Sequence, residues 1–307
     1  MYIAAIDIGS NAVRLLIKNT DHPNLLDNLD VIHEDEYYQR VPLKSGNDTF
    51  TYGAIQPKTL ALLTYAMCQF AVKMKKYGVS RYRACATAAY RDASNATEVC
   101  RRVKHISGLT IDVITGQEEA RLTRRSFRTP QEQRNDTFLF VDVGGGSTEV
   151  SLVEKGRQTY AHSFHVGSMR YVCNTQSPEE EAALDEAAES LSQKCPTLHY
   201  VGVGGCVKMA KSILNKDSNS DVIRVAEMDK LYEELRQLTP KQISLKYSIP
   251  LERADIMTPA SSIFLRIAHK VNATTIRVPS IGVRNGIITD LYSEWERQNP
   301  ASAPATD

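Results

Sequence analysis

Apolar and β-branched residues run from Ile3 to Ile6, give way to a short polar turn at Gly9-Ser10-Asn11, and resume from Val13 to Ile17. Two such runs across a tight turn predict a β-hairpin. The arrangement returns at Phe138 to Val143 and Val150 to Val153, around Gly144-Gly145-Gly146-Ser147-Thr148, displaced by 135 residues. That displacement is one domain length, so a duplicated architecture is expected. After the first hairpin come an extended segment over 31–41 and a long helix from Pro57, with Leu60, Leu63, Met67, Phe70, Met74 and Tyr77 at steps of three and four before Gly78. A strand near 83–86, a helix opened by Asn95 with Glu98 three residues on, a strand at 111–114 and a helix from Gln117 complete the order βββαβαβα. The second hairpin is followed by an extended run over 158–165 and a helix capped by Ser177, with Pro178 in its first turn and Glu180 closing a capping box. Further on come a strand at 199–203, a helix from Cys206, helices over 227–238 and 251–270, a strand at 275–278 and a last helix from Arg284. Strands separated by helices predict, in each half, a mixed or parallel sheet covered on its faces. The division is placed at 1–123 and 124–307, with the helix from about 284 returning to the first domain. A polar connector is read at 129–136 and a frayed tail at 300–307.

Composition narrows the class without choosing within it. The 307 residues are 42% hydrophobic and 24% charged, with a mean hydropathy of -0.32. These are ordinary values for a soluble globular chain. A net charge of +1 gives no global field toward nucleic acid or anionic lipid. There is no nucleic-acid-binding motif, and no apolar stretch approaches the length of a membrane span. Six cysteines without a C-x-x-C pair or zinc spacing suit a reducing compartment, and Asp7 interrupts any leader-like apolar start, so a cytoplasmic protein is expected. Charge is uneven locally: from Lys73 to Arg128 there are 13 basic and 5 acidic residues. Arg101-Arg102 and Lys75-Lys76 read as solvated helix faces, whereas Arg121, Arg124, Arg125 and Arg128, at three- to four-residue steps on the helix carrying Glu119, form the face better placed to steer a phosphate chain.

Glycine-rich turns leaving a strand expose backbone N–H groups that a phosphate can approach closely. Three are present: Gly9-Ser10-Asn11, Gly144 to Thr148, and Gly202-Val203-Gly204-Gly205. Asp7 and Asp142 end the strands entering the first two, where carboxylates suit a metal ion that neutralises a polyanion. Two such turns in a duplicated molecule are expected to line one cleft.

Four segments resemble, in order, the signatures of the exopolyphosphatase / guanosine pentaphosphate phosphatase (Ppx/GppA) family: Ala5 to Asn11, Ala86 to Arg91, Ile114 to Arg121, and Val141 to Glu149. Val203-Gly204-Gly205-Cys206 and Gly282-Val283-Arg284-Asn285-Gly286 extend the resemblance along the chain. It implies the duplicated actin-like (sugar kinase, Hsp70, ribonuclease H-like) α/β fold, two domains around a central cleft, and Mg2+-dependent hydrolysis of a terminal phosphoanhydride. By the same resemblance Glu119 is the catalytic base and Arg91 the cleft arginine that neutralises phosphoryl charge. Asp142 and Glu149, with Asp7 as a third acid, would hold magnesium. Ser10, Asn11, Gly144, Gly145, Gly146, Ser147, Thr148, Gly204 and Gly205 would bind phosphate through backbone N–H and hydroxyl donors.

The chain departs from the family pattern at Cys206 in the third turn, at Asn285 where glutamate is common, and at Ala12 where serine is common. A C-terminal His-Asp-type helical domain like that of longer members is not expected after Trp295, so shorter polyphosphates or a nucleotide are expected to suit its groove. Inorganic polyphosphate is the first substrate expected and guanosine pentaphosphate (pppGpp) the second. A non-catalytic polyphosphate or alarmone sensor and a small-molecule kinase are the competing classes. Oligomeric state is left open; a homodimer is the assembly weighed, since pairing would extend a groove.

Overall fold

Every residue from Ile3 to Ile8 is buried, which an isolated half-solvated strand would not show; such a strand has both faces covered. The computed structural model describes residues 1–22, 24–127, 135–215 and 220–299. Two compact units emerge, Met1–Arg128 with Ile281–Asp307, and Thr129–Ser280. In chain order the elements are β1 (Tyr2–Ile8), β2 (Ala12–Asn19), β3 (Tyr37–Pro42), α1 (Ser45–Tyr52), α2 (Pro57–Lys76), β4 (Val79–Ala86), α3 (Ala88–Asp92), α4 (Ala96–Ser107), β5 (Asp112–Val113) and α5 (Gly116–Arg125). Then follow β6 (Thr137–Val143), β7 (Thr148–Glu154), β8 (Arg157–Phe164), α6 (Ser168–Val172), α7 (Pro178–Lys194), β9 (His199–Val203), α8 (Gly205–Leu214), β10 (Val222–Arg224), α9 (Val225–Leu235), α10 (Pro240–Tyr247), α11 (Leu251–Lys270), β11 (Thr275–Arg277) and α12 (Val283–Gln298).

The first unit's sheet has the order β3-β2-β1-β4-β5. The first three strands are antiparallel neighbours, and β4 and β5 run parallel to β1. In the second unit the order is β8-β7-β6-β9-β11, read from its outer edge, with β10 added antiparallel beyond β11. The strand senses are the same, since β6 pairs antiparallel with β7 and parallel with β9. The duplication extends to register: Asp7 pairs with Arg14 and Asp142 with Glu149, each pair 135 residues from its counterpart. Two copies of this mixed sheet with helical crossovers are the duplicated actin-like, ribonuclease H-like fold.

Alternation along β1 sends Ile3 and Ala5 into a cluster with Leu16, Leu122, Val283, Ile287 and Ile288. Helix α12 therefore belongs to the first unit, packing on α5 and β1. Helix α5 continues past residue 123 to Arg125 within that unit. In the second unit α11 is buried nearly all round, through residues such as Ile256, Met257, Ile263 and Phe264. Its surroundings include β6, α6, α7, α8 and α9.

Three details differ from the sequence reading. Asn95 does not cap α4: its side chain accepts from Ile55 N and donates to Ile55 O, both at 2.9 Å, while Glu98 pairs with Arg101 and Arg102. Ser177 does cap α7, accepting from Glu180 N, but the Glu180 carboxylate accepts from His165 N instead of closing the box. The helix expected over 227–238 lies instead at Val225–Leu235, and Thr239-Pro240 opens a separate helix with a full capping box of its own. Most of the expected connector, and the tail from Pro300, lie outside the described residues.

Candidate active site

Parallel strands bring functional groups together at their carboxyl ends, where crossover turns begin. In the first unit Ile8, Ala86 and Val113 are neighbours across β1, β4 and β5. The turns leaving them carry Ser10 and Asn11, then Arg91, then Glu119. Thr87 N donates to Ile8 O at 3.1 Å and Ile114 N to Ala86 O at 3.0 Å, holding these ends side by side. Glu119 lies in the first turn of α5, whose N-cap Thr115 accepts from Glu118 N at 3.2 Å. The residue is nearly buried, at 8% exposure. Arg91 Nη1 donates to Glu119 Oε2 at 2.7 Å and to Ile114 O at 3.1 Å. Adjacent Glu118 faces elsewhere, toward Arg83 and Arg121, and those hydrogen bonds, Arg121 foremost, hold its carboxyl below the ordinary range. Helical geometry separates neighbouring side chains by about 100°, so only one of the two acids can serve the site.

The first glycine turn is a Gly9 N to Ala12 O hairpin at 3.1 Å, and Gly144 N to Ser147 O repeats it at 2.9 Å. Both turns direct their carbonyls inward. Ser10 O accepts from Gly46 N, and Asn11 O from Leu43 N. In the second unit Gly144 O accepts from Ser168 N, Gly145 O from Met169 N, and Gly146 O from Arg170 Nε at 2.7 Å. In a trans peptide N–H points opposite to C=O. Carbonyls drawn into α6 therefore turn the amides of Gly145, Gly146 and Ser147 away from it, the arrangement an anion nest requires. Gly167 permits this approach, since a Cβ there would sit 2.4 Å from Gly145 O.

The third turn abuts the second. Gly204 has φ 112°, and an added Cβ would lie 3.0 Å from Val143 O and 3.2 Å from Asp142 Oδ1. That position demands glycine. Gly205 opens α8 with open space where its Cβ would be.

The acids divide by unit. Asp7 is bonded to Arg14 Nη1 at 2.9 Å, so the first hairpin carries an ion pair across its strands. The second hairpin places Asp142 opposite Glu149, two carboxylates on one face. Glu149 is 3% exposed and accepts from Ser163 Oγ at 2.7 Å. Among the described residues no three His, Cys, Asp or Glu side chains converge as a metal cluster.

Two expectations need correction. Thr148 is fully buried and donates its hydroxyl to Val166 O at 2.6 Å, so it has no proton to give a phosphate. Arg121 and Arg125 do not form an open basic stripe: both bond to Asp290 of α12, and Arg121 also to Glu118. Arg128 lies outside the described residues. Arg14 and Arg170 were not singled out from sequence, and Arg284 entered only as part of the Gly282 to Gly286 motif, without a role. Arg14 sits seven residues after Asp7, and hairpin register would have paired them. Arg170 had no local signal, and Arg284 had only its place in that motif. Burial lowers the pKa of the Arg284 guanidinium, which stacks 5.1 Å above the Tyr38 ring.

The model of the Ppx/GppA phosphatase family matches residues 27–294 of this chain. A guanosine-5'-triphosphate,3'-diphosphate pyrophosphatase of Photobacterium profundum is 26% identical over 242 residues, which are 75% of this chain and 48% of that protein. This chain thus spans about half the length of that curated relative. An exopolyphosphatase from Cytophaga hutchinsonii superposes with a TM-score of 0.80 at 18% identity, covering 96% of this chain and 98% of its own. The Aquifex aeolicus Ppx/GppA family member gives a TM-score of 0.70 at 23% identity, with 97% and 99% covered. Superpositions at such identities speak for the fold, and the family match spans most of the sequence: the chain belongs to the Ppx/GppA phosphatase family.

Proposed function

We propose that this protein releases terminal orthophosphate from inorganic polyphosphate, water attacking the terminal phosphorus with Glu119 as general base. The observation that carries the reading is the 2.7 Å pair between Arg91 of α3 and Glu119 in the first turn of α5. A nearly buried carboxylate fixed by a guanidinium is a positioned proton acceptor, and phosphoryl transfer depends chiefly on positioning and charge stabilisation. Arg91, with its planar fork, is the group suited to phosphoryl oxygens. In the second unit the amides of the Gly144–Ser147 turn are donors suited to phosphate, with Gly204 and Gly205 beside them, and in the first unit Ser10 and Asn11 are the donors. Magnesium is commonly bound by one or two carboxylates plus substrate phosphates. Asp142 and Glu149 fit that donor set, because like charges opposed across strands are relieved by a cation. Asp7 already has its counter-charge in Arg14, which weights the metal toward the second unit's pair. When bound, the ion supplies charge neutralisation on the phosphate oxygens.

The second reading, pppGpp 5'-phosphohydrolase activity, is favoured by the name of the Photobacterium profundum relative. Orthophosphate release in magnesium should be measured with short polyphosphate, long polyphosphate and pppGpp, wild type beside Glu119→Gln. The Gln variant is expected to lose about 10²- to 10⁴-fold in rate while still binding ligand. A Gln variant with wild-type turnover removes Glu119 as base, and binding without turnover in the wild type makes the protein a sensor.

A further inference from the structure

Helix α12 reaches α5 from the far end of the sequence, and the two meet backbone to backbone. A Cβ added at Gly286 would lie 1.9 Å from Leu122 O, 2.5 Å from its carbonyl carbon and 2.8 Å from its Cα. All three are main-chain atoms, which cannot swing aside as a side-chain tip can. One turn further along α12, Asp290 accepts from Arg121 and from Arg125 Nε, and Ser293 Oγ accepts from Arg125 Nη2 at 3.3 Å. On the opposite side Glu118 accepts from Arg83 of β4 at 2.9 Å and from Arg121 Nε at 2.7 Å. Helix α5 is thus fixed laterally by β4 and by α12. Glu119 stands on the same helix, three residues before Leu122.

We propose that Gly286 and Asp290 are positioning residues for Glu119: the close α12–α5 contact sets where the Glu119 carboxylate meets Arg91. Neither residue touches the reacting atoms in this role. The inference rests on the reading of Glu119 as base. Displacing α5 by the width of a methyl group shifts Glu119 by a comparable distance, and a misplacement of about 1 Å can cost roughly 10²-fold in rate. Uniform binding of the phosphates, supplied by other groups, is left in place, so the loss falls on kcat rather than KM.

The test uses the full chain in magnesium, with the polyphosphate or pppGpp that wild type turns over, and rates expressed per folded molecule. Gly286→Ala is expected to lower kcat by about 10²-fold with KM within about threefold. Asp290→Ala should lower kcat by several-fold, with Asp290→Glu restoring it. Gly282→Ala is the control, since a Cβ there meets nothing; it should keep wild-type kcat. If Gly286→Ala fails to melt cooperatively, the Asp290 pair decides. Unchanged kcat in the variant that folds, or kcat and KM deteriorating together without rescue by Asp290→Glu, overturns the proposal. Glu119→Gln run alongside separates the two failures: an active Gln variant sinks the base, whereas a dead one beside an active Gly286→Ala sinks only the clamp.

Discussion

At equivalent positions of the two hairpins, one residue decides whether the strands carry an ion pair or an acid pair. Asp7 faces Arg14 and Asp142 faces Glu149 in matching registers. Opposite charges directly opposed across strands stabilise by roughly 0.2–1 kcal/mol, and like charges so placed destabilise. The second hairpin therefore opposes two acids where the first opposes unlike charges, and a cation held between Asp142 and Glu149 would reduce that repulsion. Glu149→Gln keeps the oxygen that accepts from Ser163 while removing one charge. In metal-free buffer the variant is expected to melt at or slightly above the wild-type temperature. Magnesium should raise the wild-type melting temperature and leave that of the variant almost unmoved. A variant that still responds fully to magnesium would place the ion elsewhere. Cys85 offers a second check on burial: it is inaccessible, and desolvation pushes its thiol up to about 12. Thiolate is the reactive form, so Cys85 should resist iodoacetamide at pH 8 in the folded protein and react once unfolded.

Helix α5 shows how local sequence and distant packing combine to place one side chain. Its start is local: Thr115 accepts from Glu118 N, and Thr115→Ala should cost about 1 kcal/mol in urea denaturation, as loss of an N-cap usually does. Its lateral position depends on α12, more than 150 residues away in sequence, and no local pattern announces that contact. The same division separates what could be read beforehand from what could not. Strands β1, β2, β6 and β7 were legible because apolar runs flanked glycine turns, and α2 because its apolar residues recur at helical spacing. Short α1, α3 and α6 carry too little periodicity to signal themselves, yet they receive the turn carbonyls or present Arg91. Glu119, Arg91 and the glycine turns were legible as motifs. The Thr148 hydroxyl was misread because donating to a backbone carbonyl leaves no trace in composition. Arg121 and Arg125 were misread because their partner Asp290 lies on a helix from the other end of the chain.

Across the whole molecule, several of the acids held by side-chain partners among the described residues are partly or fully exposed, and their titration shapes the pH range of stability. Asp35 is held down from its ordinary 3.8 to about 2, first by the Asn19 side chain and then by His22. Glu98 falls from 4.5 to about 2 through Arg101 and then Arg102. Glu118, Glu154, Glu179 and Glu234 are lowered as well, by side-chain hydrogen bonds in each case. An acid depressed in the folded state binds fewer protons there than when unfolded, so stability rises with pH through the unfolded value. These contributions are complete above about pH 5 and are lost as pH falls from there toward about 2. The alkaline side has the opposite sign. Cys85, with an ordinary value of 9.0, and Tyr200, with one of 10.0, are raised by burial, so their folded state keeps protons that the unfolded chain releases. Stability present below about pH 9 is therefore lost as pH rises toward the folded values. Thermal melts from pH 2 to pH 11 should show a plateau between roughly pH 5 and pH 9 with declines on both sides. Within the acid decline, Glu98→Gln should flatten the curve only slightly, because its pair with two exposed arginines is solvent-screened. Glu118→Gln should flatten it more, since that carboxylate joins β4 to α5 from a partly buried position. An acid limb indifferent to Glu118 would mean that the network around α5 contributes nothing to holding the fold.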